Sequence, residues 1–180
     1  MLTKTAFANA AIDTNAQVLQ DIHSSVINIA VYQRELSVPQ HVLDHVVQEG
    51  IEYRASGTAA EITTDLNSYF ASNFPEQKVL LKDLLEQLKL FGQVAKVSSF
   101  RVLFATISTN MCRRFHTDIN SLRMLCTYVG PGTLWLPNEA VNQKAYQGGS
   151  GNDDIVLEEN LIQQANAGDV VILKGALYPD

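Results

Sequence analysis

Apolar residues recur mainly at intervals of three and four in the first half of the chain, and at intervals of two in much of the second. Residues 27–35 alternate and predict a short strand. Ser37-Val-Pro-Gln40 then has the form of a capping box with an early proline. Behind it Val42, Leu43, Val46 and Val47 share a helical face, and Gly50 supplies a stop. Thr58-Ala-Ala-Glu61 is a second box, ahead of Ile62, Leu66, Tyr69 and Phe70. The longest helix follows Asn73, with Pro75 and Glu76 in its first turn. Leu80, Leu81, Leu84, Leu85, Leu88 and Phe91 form its apolar stripe, and Lys82, Asp83, Glu86 and Lys89 its outer face.

The period changes after Ser99. Residues 100–107 and 122–128 are rich in strand-favouring side chains, and residues 133–136 and 170–173 predict two more strands. Turns are expected at Val129-Gly-Pro-Gly132 and Ala167-Gly-Asp169. Residues 147–154 read as a flexible loop, a lid or a surface insertion. No internal repeat is present. The pattern predicts one α+β domain over 1–180, with a mainly helical part (1–98) beside a β part (99–180).

Composition narrows the function classes. The 180 residues are 46% hydrophobic and 18% charged, enough for a packed core. Thirteen basic against nineteen acidic residues give a net charge of −6, which excludes the clustered basic footprint of a nucleic-acid or anionic-membrane binder. No apolar run has the length of a membrane span, and the first twelve residues are too polar for a secretion signal. Cys112 and Cys126 make no disulfide framework. A cytoplasmic protein is expected.

Phe115-His116-Thr117-Asp118 is the sharpest chemical signal. An imidazole and a carboxylate two apart on an extended segment project to one side and can reach one metal ion. Chance alone supplies about 0.2 such spacings in a chain of this composition, so the weight falls on the surroundings. Residues 122–128 and 133–137 follow it, then the Gly-led run Gly168-Asp-Val-Val-Ile-Leu-Lys-Gly175. That order resembles the double-stranded β-helix, a cupin-like jelly roll, of prolyl-hydroxylase-like Fe(II)/2-oxoglutarate oxygenases. The runs 112–118, 122–137 and 168–175, with Val26-Ile-Asn-Ile-Ala-Val-Tyr-Gln-Arg34, are more closely similar to the bacterial DUF1826 family, and this likeness covers most of the chain.

The resemblances imply a helical layer on a β-helix. They also imply Fe(II) or Zn(II) held by His116 and Asp118, and a 2-oxoglutarate cosubstrate touched by Arg123 or Tyr128. The oxygenase pattern needs a second His after the Gly-led strand. None follows His116, so the third ligand and the last strands are expected to be lacking before Asp180. Three functions follow: an oxygenase-like enzyme, a zinc-handling protein without turnover, or a scaffold that has lost its site. An incomplete β-helix predicts an exposed edge at residues 170–173, through which the chain would form homo-oligomers. Each residue also has a plainer reading. His116 and Asp118 can be a hydrogen-bonded pair, Arg123 a salt bridge, Tyr128 and Trp135 core aromatics. Cys112 and Cys126 read as small apolar residues or zinc ligands, and His41 and His45 as a solvated helix face. No phosphate-binding Gly loop and no Gly-x-Ser-x-Gly elbow occur.

Overall fold

The computed structural model describes residues 7–109 and 112–179. They form a mixed α/β structure of helices and small open sheets, divided into two compact units: residues 1–36 with 111–180, and residues 37–110.

The first unit is built on a four-stranded sheet of order β1–β2–β8–β5, comprising β1 (Ala10–Asp13), β2 (Ile29–Tyr32), β5 (Leu122–Cys126) and β8 (Val170–Lys174). β1 and β2 are parallel, whereas β8 runs antiparallel to both β2 and β5. Ile29, Val31 and Val171 pack with Ala10, Trp135 and Ala165. The alternate residues Ala30, Val170 and Ile172 are buried too, and a 3₁₀ helix (Ala16–His23) carrying buried Val18, Leu19 and Ile22 packs on β1, β2 and β8. A strand buried on both faces reads as an unbroken apolar run. This explains Val170-Val-Ile-Leu173, and it corrects the expectation of an open edge there: β8 is paired on both sides, and the outer strands are β1 and β5. A two-stranded sheet of β6 (Leu134–Trp135) and β7 (Gln163–Gln164), with the short helices α4 (Gln143–Gln147) and α5 (Asn152–Ile155), completes the unit. Among the described residues the strands make three small sheets.

The second unit contains α1 (Gln40–Glu49), β3 (Glu52–Thr58), α2 (Ala59–Asn73), α3 (Lys78–Ala95) and β4 (Ser99–Ala105). β4, expected to belong with the later strands, pairs antiparallel with β3, a strand that no local pattern predicts. The Thr58–Glu61 capping box forms in both directions. The Ser37 box does not: Pro39 is the N-cap of α1 and makes no side-chain bond. Gly50 stops α1 in the left-handed region, φ 71°, which a glycine enters without steric cost. α3 begins at Lys78, after a turn holding Pro75 and Glu76. It buries Leu80 and Leu88 together with Asp83 and Gln87, while Leu81, Leu84 and Leu85 are half-buried. Asp83 thus lies on the inner face, contrary to its expected place.

Tyr53 gives this unit an alkaline sensitivity. Its phenol is 3% exposed and donates to Asp65 Oδ2 at 2.8 Å. Burial, then the bond to Asp65 and its charge, push the phenol well above its ordinary value. The neutral form is the one the fold holds. Its contribution is intact below about pH 10, the unfolded phenol value, and is lost as pH rises beyond it because only the unfolded chain ionises readily. Urea midpoints measured between about pH 9 and 11 are expected to fall less steeply in Tyr53→Phe than in the parent.

Candidate metal centre

The His-x-Asp segment lies in no regular element; hydrogen bonds on two sides hold it. On one side, Asn152 Nδ2 donates to the Arg113 carbonyl at 2.7 Å, Phe115 N to Asn152 Oδ1 at 2.9 Å, and Thr117 N to Tyr146 Oη at 3.0 Å. Away from these odd-numbered bonds, the Asp118 carbonyl accepts from Ala176 N at 2.8 Å. Bonds that alternate along the chain are those of a strand, in which next-but-one side chains share a face. His116 and Asp118 do converge, with Nε2 3.3 Å from Oδ1. Arg123, the second residue of β5, donates through Nη1 to both Asp118 oxygens, at 3.0 and 2.9 Å. The three side chains are 40%, 21% and 43% exposed, so the pair is open to solvent.

The imidazole orientation is informative. Nδ1 lies 2.8 Å from the Arg114 carbonyl oxygen, which can only accept. Nδ1 therefore carries the proton, and Nε2 is the nitrogen turned to Asp118. In the neutral ring Nε2 then turns its lone pair toward the Asp118 carboxylate, whose charge Arg123 Nη1 already partners. A charge-assisted N–H···O bond is about 2.7–2.9 Å long, shorter than the 3.3 Å found here. Two donors about 2.1 Å from a common divalent ion, at an angle between octahedral and tetrahedral, lie about 3.0–3.4 Å apart. The tautomer, with Nδ1–H on a backbone carbonyl, is also the usual outer support of a ligating histidine. These residues fit a two-point hold on a cation. They do not fit a complete oxygenase triad, because among the described residues no three His, Cys, Asp or Glu side chains gather to hold a metal.

The other singled-out residues are placed elsewhere. Tyr128 follows the end of β5 opposite Arg123 and is half-buried. Trp135 is core, packed edge-on against Phe7. Cys112 is exposed. Cys126 is half-buried, with Sγ 3.6 Å from Arg34 Nη2 and 3.7 Å from the Gly168 carbonyl, so the mixed sulfur–nitrogen zinc site does not form among the described residues. His41 and His45 are exposed on α1, and the His45 ring packs edge-on against Phe74.

The family described as "Protein of unknown function (DUF1826)" matches residues 13–180. The chain belongs to the DUF1826 family. No curated protein and no solved structure matches it. The match includes the His-x-Asp segment, strands β5 and β8, and the 143–152 segment that clamps it. Sequence reasoning missed that clamp. In this DUF1826 chain residues 147–154, expected as a flexible loop, a lid or a surface insertion, are the end of α4, a turn and most of α5, fastened to Arg113, Arg114 and Phe115. The one signal was a pair of side chains that both donate and accept, Tyr146 and Asn152, bracketing the Gly-rich turn. No described helix is long and apolar enough to cross a membrane.

Proposed function

We propose that this DUF1826 protein binds one divalent cation, Fe(II) or Zn(II), through His116 Nε2 and Asp118 Oδ1. The observation that carries the reading is the imidazole fixed with Nδ1 as donor, leaving Nε2 to face a carboxylate at 3.3 Å. Two ligands leave coordination positions to molecules from outside. Arg123 stands beside them, and among the described residues its Nε and Nη2 meet no acceptor. A guanidinium fork of this kind suits the carboxylate of a chelating co-ligand such as 2-oxoglutarate. When bound, the cation supplies a Lewis acid and, as Fe(II), a redox centre. The chain's own part is to hold the imidazole in one tautomer, hold Asp118 against Arg123, and leave one side open. A second reading, zinc handling without turnover, is favoured by the two-ligand set and the exposure of the pair.

One experiment separates them. Protein prepared without chelators is assayed for bound metal, then given Fe(II), 2-oxoglutarate and oxygen. Succinate formation abolished by His116→Ala is the oxygenase outcome. Zinc retention without succinate is the handling outcome. Absence of binding to either metal overturns both readings.

A further inference from the structure

We propose that Tyr146 and Asn152 are the positioning residues of the His116–Asp118 pair, acting as a neighbouring strand made of side chains. This rests on the metal reading for its consequence but not for its geometry. The segment 113–118 belongs to no strand, yet its odd-numbered backbone groups are bonded as a strand's would be. Asn152 fills two of these positions, donating to Arg113 O and accepting from Phe115 N. Tyr146 Oη fills the third and reaches further: it accepts from Thr117 N and donates to Thr117 Oγ1 at 2.8 Å. Thr117 is the residue between the two ligands, so its backbone direction sets the directions of both neighbouring side chains.

The clamp is itself held from below. Arg114 Nε donates to Ser150 O at 2.7 Å and Nη2 to Tyr146 O at 2.9 Å, with the guanidinium 5.7 Å from the centre of the Tyr146 ring. The Arg114 carbonyl meanwhile fixes the His116 tautomer. One residue thus ties the clamp to the ligand. Gly148, Gly149 and Gly151 make the turn that brings Tyr146 and Asn152 to the same edge. Without these bonds the loop would be free to sample several directions for each ligand. A cation would then have to order it, and binding would weaken by the cost of that ordering.

The test uses the full chain with zinc as probe. Tyr146→Phe keeps the ring beneath Arg114 and removes only the two Oη bonds. It is expected to raise the zinc dissociation constant about tenfold, while the melting temperature of the metal-free protein moves by no more than about 3 °C. Asn152→Ala is expected to act likewise, and Asn152→Asp, which retains the acceptor for Phe115 N, to recover part of the loss. A readout independent of metal is the ¹⁵N shifts of the His116 ring in metal-free protein at mildly alkaline pH. The parent should show the Nδ1-protonated tautomer alone, and Tyr146→Phe a mixture of both. Unchanged affinity and an unchanged tautomer in Tyr146→Phe and Asn152→Ala would overturn the proposal. If the parent fails to bind zinc, the metal reading falls, and the tautomer comparison still decides whether the clamp positions His116.

Discussion

His116→Ala is expected to remove all stabilisation of the site-bearing unit by zinc. A ligand that binds only the native state contributes about 2.7 kcal/mol when present at about 100 times its dissociation constant. In a chain of 180 residues each kcal/mol moves a melting temperature by about 2–4 °C. The parent should therefore gain about 5–10 °C in zinc under those conditions, and the variant nothing. The control lies in the same molecule. His116 is half-exposed and makes one bond to a backbone carbonyl, so the metal-free variant should melt close to the metal-free parent. Calorimetry with and without the metal reads all of these. An equal zinc-induced shift in parent and variant would remove His116 from the site.

A second large effect is expected from Gly175→Ala, where β8 leaves the sheet. A methyl group there would overlap the backbone oxygen of Asn120 and its Oδ1, and Oδ1 is already a buried acceptor without a partner among the described residues. The collision is with main chain, which cannot swing aside as a long side chain does. The upper range of overpacking costs applies, about 3 kcal/mol, equivalent to about 6–12 °C. The damage should reach the His116–Asp118 pair as well. Gly175 N, Ala176 N and Leu177 N donate to the carbonyls of Ser121, Asp118 and Asn120 at 2.9, 2.8 and 3.0 Å, so pushing this segment away withdraws support from Asp118. Gly151→Ala is the matched control, because its added carbon meets nothing within 4 Å; a change of under about 0.5 kcal/mol is expected there. Equal melting temperatures for the two variants would show that the close approach at Gly175 is dispensable.

Local signals were legible where one segment's own period decided its state. The stripe of Val42, Leu43 and Val46 gives α1, the Thr58–Glu61 box starts α2, and the run at 170–173 gives β8. β3 escaped because Tyr53 is its one large buried residue; its stability comes from β4, whose residues lie 41 to 53 positions later in the register. The place of β8 between β2 and β5 escaped for the same reason. No local pattern says which of two edges a buried strand will fill. At the site, the i, i+2 spacing of His116 and Asp118 foretold a shared face, and Arg123 was expected to meet either a ligand carboxylate or an acidic residue. That the acid is Asp118 itself, and that Tyr146 and Asn152 stand in for a strand, depends on contacts between residues 5 to 39 positions apart. Turn composition alone carries no information about such partners.

The cation proposed between His116 Nε2 and Asp118 Oδ1 can be located in an anomalous difference map from crystals of the zinc-loaded protein, collected at the zinc edge. A single strong peak is expected about 2.0–2.2 Å from both atoms, with the Nδ1 bond to the Arg114 carbonyl retained. A peak at other residues, or none beside a His116 ring still paired with Asp118, would contradict it.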